Sequence, residues 1–209
     1  MSGFTQQLLS KYPIISEQIG RSAMTTVLNQ LEQLLMSGVV GDVVELGCYI
    51  GTTTLFLRRL LDHYDAAGQR RLYAYDSFAG LPPKTTPDAS GSGEQFQGGE
   101  LAVSKKQFLQ EFHKARLAPP ITVKAWFTDL TADQLPATIS YAFLDGDFYQ
   151  SIIESLRLVW PRLAAGGILT IDDYQRTALP GVERAVRDFF QNKNINLRHE
   201  HNIAIISRR

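Results

Sequence analysis

Residues 42–64, DVVELGCYIGTTTLFLRRLLDHY, decide the fold. The run from Asp42 to Leu46 is apolar and β-rich and reads as a strand. Gly47 and Gly51 then punctuate the chain, and from Thr52 the apolar residues recur at helical spacing. Strand, glycine turn and amphipathic helix make the first half of a βαβ unit, and RLYAYD at 71–76 supplies a second strand about 30 residues after the first. Strands joined by a crossover helix run parallel.

Upstream, Val27, Leu28, Leu31, Leu34 and Leu35 fall at helical spacing and Gly38 and Gly41 end the run, so residues 1–38 read as a helical cover. Downstream, FAGLPPKTTPDASGSGEQFQGG at 78–99 is dense in Pro, Gly, Ser and Thr without apolar periodicity. The segment 77–100 is therefore a long loop, of the kind that serves as a lid. The alternation resumes with a helix at 104–115, strands ITVKAW (121–126) and ISYAFLD (139–145), a helix over 149–163, strand GILTIDD (167–173) and a helix over 182–192. INLRHE and NIAIIS, separated at His201-Asn202, read as a closing antiparallel hairpin. The pattern predicts a single α/β domain over 1–209, Rossmann-like, with a mostly parallel sheet and helices on both faces.

Twenty-one basic and 21 acidic residues give zero net charge, which argues against nucleic acid or an anionic membrane as a partner. Arg58-Arg59, Arg70-Arg71 and Arg208-Arg209 are isolated pairs on a solvated surface. The single cysteine, Cys48, excludes an internal disulfide framework and fits a reducing cytoplasm. No run of about 18 apolar residues marks a membrane span, and the first residues lack the basic start of a secretory leader. The expectation is a cytoplasmic protein.

The turn is spaced G-x-x-x-G, a departure from the dinucleotide fingerprint G-x-G-x-x-G, and Tyr49 would crowd a pyrophosphate. A nucleoside with a charged amino-acid tail fits better. Glu45 ends the first strand and Asp76 the second, where a carboxylate can accept both hydroxyls of a ribose; the alternative is a tight turn with acids merely exposed at strand ends. Asp145, and the pair Asp172-Asp173, end two later strands 27 residues apart, so their carboxylates can face one point. An all-oxygen set suits Mg²⁺, and no His or Cys spacing suits zinc. Against a metal stands helix capping, with Asp145 and Asp147 preceding one helix and Asp172 and Asp173 another.

ELGCYIGTT, YAYDSFAGLPP, FLDGDFYQS and GGILTIDDY together resemble the macrocin O-methyltransferase family of S-adenosylmethionine-dependent enzymes, over roughly Val39 to Phe190. The resemblance implies a seven-stranded class I methyltransferase fold with an antiparallel C-terminal strand. It also implies Mg²⁺-assisted methyl transfer to a hydroxyl of a sugar or another vicinal-diol small molecule. On its terms Glu45, Gly47 and Gly51, with Cys48, Tyr49 and Thr52 of the same turn, border the methionine end of S-adenosylmethionine. Asp76 holds the ribose and Ser77 flanks it. Trp126, Phe127 and Thr128 enclose adenine, with Asp129 as a supporting acid. Asp145, Asp172 and Asp173 are the metal ligands, with Asp145 also against the cofactor.

Asp145 and Asp147 are the candidate catalytic residues, but the general base stays open. Related catechol methyltransferases place a lysine three positions after the first aspartate, and here that residue is Phe148. Asp147, Glu94, Glu100 and His113 are the options. Alternative readings are a catechol-type small-phenol O-methyltransferase and a non-catalytic nucleoside-binding module; the glycine spacing argues against an oxidoreductase. The chain is short at its N-terminus for the family, where acceptor contacts or a homo-oligomer interface would be built.

Overall fold

A computed structural model describes residues 3–93 and 95–209. Met1, Ser2 and Glu94, the last of them a candidate base, lie outside the described residues.

Seven strands form one sheet: β1 (Asp42–Leu46), β2 (Leu72–Asp76), β3 (Ile121–Lys124), β4 (Ile139–Leu144), β5 (Leu163–Ile171), β6 (Asn196–Glu200) and β7 (Ile203–Ser207). Their order is β3-β2-β1-β4-β5-β7-β6. β1 to β5 are parallel, and β7 runs antiparallel to both β5 and β6. The chain builds outward from β1 to β3 and then returns to set β4 against the other side of β1. That reversal opens a crevice beyond the carboxyl ends of β1 and β4, where open α/β sheets bind ligands.

Successive residues of each strand serve opposite layers. Val44, Leu46, Ala142, Leu144, Leu169 and Ile171 pack with helices α5 (Tyr149–Val159) and α6 (Pro180–Phe190). Val43, Tyr141, Phe143, Ile203 and Ile205 pack with α1 (Phe4–Lys11), α2 (Arg21–Ser37) and α3 (Thr52–Tyr64). Cover on both faces explains why the central strands read as unbroken apolar runs. The buried hydroxyl of Tyr141 donates to the carbonyl of Val27 at 2.9 Å and shares a 2.8 Å hydrogen bond with the Thr170 hydroxyl, which ties α2 to the sheet. α4 (Lys105–Ala115) inserts Phe108 and Phe112 beside Cys48, Leu55, Ala74 and Phe78.

Several boundaries differ from the sequence reading. α5 ends at Val159, and Trp160–Arg162 is a 3-10 turn around Pro161, whose ring cannot continue a helix. β5 starts at Leu163, before a register shift opposite Ile139 and Tyr141, with Gly166 left-handed at φ 76°. The N-terminal cover contains α1 as well as α2. The N-cap of α1 is Gly3, which has no side chain to accept from the helix, and Glu32 of α2 does so instead. Its carboxylate accepts the amides of Phe4 at 2.8 Å and Thr5 at 3.1 Å and the Tyr64 hydroxyl at 2.5 Å. The β6–β7 turn carries His201 and Asn202 at φ 51° and 64°, the left-handed pair that a two-residue hairpin requires. Among the described residues no helix is long and apolar enough to cross a membrane.

Candidate functional site

The carboxyl ends of β1, β2 and β4 and the chain just beyond β3 and β5 open on one partly open cavity. Gly47 and Tyr49 come from the turn after β1, Asp76 and Ser77 from the end of β2, and Trp126 and Phe127 from the chain after β3. Asp145 and Asp147 enter from the β4–α5 connection, and Asp173 and Arg176 from the segment after β5.

Gly47 is required by the fold itself. At φ 92° it lies so close to β4 that a Cβ would stand 1.8 Å from the carbonyl oxygen of Asp145. The turn that follows is organised by Asp76, whose Oδ2 accepts the amides of Cys48 and Tyr49, both at 3.0 Å, and whose Oδ1 accepts that of Phe78 at 2.7 Å. A carboxylate offers about four acceptor positions, so Asp76 keeps capacity toward the cavity it lines.

Glu45, Cys48, Gly51 and Thr52 do not line the cavity. Glu45 shares the face of Val43 and is buried in the layer of α2 and α3, where burial, with the charge of Asp76, pushes its carboxyl up to about 8. Cys48 packs among Leu55, Phe78 and Phe108, and burial, with Asp76 and Glu45, drives its thiol well up. A Cβ on Gly51 would meet Phe108 at 2.9 Å, so this glycine makes room for α4. Thr128 and Asp129 are exposed, and the Thr128 hydroxyl donates to Asp129 at 3.3 Å. Trp126 is 38% exposed at the cavity mouth.

Carboxylate oxygens of Asp145, Asp147 and Asp173 lie within 4.8 Å of one another. The sequence reading grouped Asp145 with Asp172 and Asp173, and the structure has Asp147 in that group instead of Asp172. Asp147 and Asp173 are both left-handed, at φ 57° and 54°. Asp172 does not line the cavity, and its Oδ1 accepts the amide of Asp173 at 2.9 Å, but it remains the largest charge acting on Asp145.

Capping of α5 by its preceding acids does not occur. Its N-cap is Phe148, and the first amide, Tyr149, donates at 2.6 Å to Asp88 of the long loop. Burial raises all four carboxyls, and repulsion adds to it at three: Asp145 and Asp147 stand well above the usual carboxylate range and Asp172 at about 8, while Arg176 and a hydrogen bond with Asp147 oppose the rise at Asp173.

Of the other base candidates, Glu100 and His113 are exposed and outside the cavity lining, and Phe148 is core. Sequence reasoning missed Arg176, Asp88 and Gln18. The D-x-x-R spacing of Asp173 and Arg176 was a visible signal for the first. Gln18 reaches the cavity from the α1–α2 connection, which carries no motif. The long loop lines the cavity with Leu81, Pro82, Phe96 and Leu101. Its neck is closed by Leu81 and Gly99, whose amides donate to the carbonyls of Glu100 and Leu81 at 2.9 and 2.8 Å.

The family model described as Macrocin-O-methyltransferase (TylF) matches residues 11–205. An 8-demethyl-8-(2,3-dimethoxy-alpha-L-rhamnosyl)-tetracenomycin-C 4'-O-methyltransferase of Streptomyces olivaceus is 31% identical over 178 residues, 82% of this chain and 66% of that protein. A mycinamicin III 3''-O-methyltransferase of Micromonospora griseorubida is 28% identical over 193 residues, 88% of this chain and 74% of that protein. Among solved structures, the O-methyltransferase NovP superposes with a TM-score of 0.76 at 23% identity, covering 88% of this chain and 78% of its own. The calicheamicin methyltransferase CalS11 does so with 0.76 at 21%, covering 98% and 90%. These two structures share the fold.

Proposed function

This chain belongs to the macrocin O-methyltransferase family, and from that premise we propose that it transfers the methyl group of S-adenosylmethionine to a hydroxyl of a sugar or other vicinal-diol small molecule, assisted by Mg²⁺. One observation carries the reading: a single cavity joins an aromatic and acidic half suited to a nucleoside, with Asp76, Trp126 and Phe127, to a cluster of three facing carboxylates. The names of both relatives, O-methyltransferases and one of them of a rhamnosyl-bearing compound, support a hydroxyl acceptor of the glycosidic kind.

In this reading Asp76 accepts the ribose hydroxyls, Trp126 and Phe127 flank adenine, and Gly47 and Tyr49 border the methionine portion. The all-oxygen donor set and the crowding of Asp145, Asp147 and Asp173, offset only in part by Arg176, fit a hard divalent cation. When bound, such a cation orients an acceptor hydroxyl and lowers its pKa. In this reading Asp147 would take the hydroxyl proton as the O–CH₃ bond forms and the S–CH₃ bond breaks, leaving S-adenosylhomocysteine. Leu81, Pro82 and Phe96, with Leu101 just beyond, would shield the cavity from water, the role of a lid for the 77–100 loop. A reducing cytoplasm suits the unpaired Cys48.

Isothermal titration of S-adenosylmethionine and S-adenosylhomocysteine, with and without Mg²⁺, tests the reading on wild type and Asp145→Ala. Binding of both nucleosides, with a Mg²⁺ heat that disappears in the variant, is the expected result. Absence of nucleoside binding would overturn it.

A further inference from the structure

Arg176 is the one basic residue among the described residues that line the cavity, and it is turned onto the acids. Its Nη1 donates to Oδ1 of Asp173 at 2.7 Å. The local chain presets this pair. Asp173 and Gln175 are both left-handed, and the amide of Arg176 donates to the carbonyl of Asp173 at 3.1 Å, closing a tight turn that brings the two side chains together. The pair is asymmetric: the Asp173 side chain is 10% exposed and that of Arg176 39%, so the carboxylate is held while the guanidinium stands at the edge of solvent.

The oxygen that Arg176 holds belongs to one of the three carboxylates that face each other. A guanidinium stays charged at any working pH. On that carboxylate it occupies part of the lone-pair capacity a metal would use, and it repels a second cation a few ångströms away. The arrangement therefore carries its own positive charge before any ion arrives.

Resting on the reading that Asp145, Asp147 and Asp173 hold Mg²⁺, we propose that Arg176 is a built-in competing cation that pairs with Asp173 in the metal-free protein and releases it when the divalent ion binds. The pair neutralises part of the acidic cluster in the metal-free state and lowers the affinity of the site. Exposure of the guanidinium supplies the route for release, since it can swing outward without disturbing the core.

The experiment is isothermal titration of Mg²⁺ into wild type, Arg176→Gln and Arg176→Lys, paired with thermal denaturation with and without Mg²⁺. Arg176→Gln keeps a polar side chain and removes the charge. It should bind Mg²⁺ about two- to fivefold more tightly than wild type, the range of a partly exposed ion pair, while Arg176→Lys stays near wild type. Metal-free Arg176→Gln should melt below wild type and gain more from Mg²⁺. A residue that only shaped the turn would lower melting temperature and Mg²⁺ affinity together. Unchanged or weaker Mg²⁺ binding by Arg176→Gln overturns the proposal. No Mg²⁺ binding by wild type overturns the metal reading beneath it.

Discussion

Replacing Asp88 by alanine removes the acceptor of three hydrogen bonds, from the Tyr149 amide at 2.6 Å and from the Thr85 amide and hydroxyl at 2.8 and 2.7 Å. Asp88 is 4% exposed, so water cannot simply take its place. Loss of a helix N-cap costs about 0.5–2 kcal/mol, and each hydrogen bond to a charged group about 1.5–3 kcal/mol. Because one carboxylate serves all three donors, we expect about 2–4 kcal/mol in total, or roughly 4–16 °C in Tm for a chain of this size.

Gly181→Ala is the sharper companion test. Alanine inside a helix is worth about 0.5–1 kcal/mol over glycine. A Cβ at position 181, however, would lie 1.9 Å from Oδ1 of Asp88 and must expel that carboxylate. Gly181→Ala should therefore destabilise the wild type, and the part of its penalty due to Asp88 should vanish in the Asp88→Ala background, leaving the part due to the Tyr149 backbone nitrogen 2.8 Å from the added Cβ. Urea denaturation of the two single variants and the double variant measures the coupling, and hydrogen exchange over the 77–100 loop reads its release. Additive effects, or a Gly181→Ala that stabilises wild type, would refute the assignment of Asp88 as the clamp between loop, α5 and α6.

Glu32→Gln should cost about 0.5–2 kcal/mol at neutral pH through the α1 cap. Burial opposes the Glu32 charge, but hydrogen bonds from Thr5, Tyr64 and the backbone of Phe4 outweigh it and hold the carboxyl below 4.5. With the folded value depressed, this stability is present above about pH 4.5 and is lost as pH falls through the folded value. Melting curves of wild type and variant should therefore converge in acid; a gap that stays constant with pH would count against a charged cap. Trp126→Ala should weaken S-adenosylhomocysteine binding by about 1–3 kcal/mol, the range for an aromatic under a base, with little change in Tm because the ring is 38% exposed. Unchanged binding would place the adenine elsewhere.

The βαβ rhythm was legible because both the strands and the glycine turn are written locally, from Asp42 to Tyr64 and again at 71–76. α1 was not, since its cap is Glu32, which reaches the helix from 28 residues beyond Phe4. Gly47 stood out as a glycine, but the contact that demands it is the backbone of Asp145, just past the end of β4 and far away in sequence. Glu45 illustrates the pleat: it ends a strand as expected, yet period two sends it into the α2 and α3 layer and away from the cavity. The sequence shows two acidic groups, Asp145 with Asp147 and Asp172 with Asp173, on equal terms. Which three meet is decided by the tertiary fold, in which Asp147 and Asp173 hold left-handed backbone, and non-glycine residues give no local sign of that conformation.

That backbone bears on whether the cluster is a site or an accident of strand ends. Tyr49, Asp147 and Asp173 all line the cavity and all hold φ near 50°, a conformation that aspartate adopts more readily than most side chains. Relaxing Asp147 or Asp173 would separate like charges, so repulsion acts to open the cluster. The capping explanation offers nothing to oppose it, because Asp88 already serves the first amide of α5. What holds the carboxylates together is the fold around them: Gly47 pressed on Asp145, the Asp88 clamp on α5, and Arg176 on Asp173. Like charges that are close only because their surroundings enforce it are what the proposed cation site would require. Here the shared feature of the enforced geometry is a point surrounded by carboxylate oxygens, which a cation would stabilise and water alone would not.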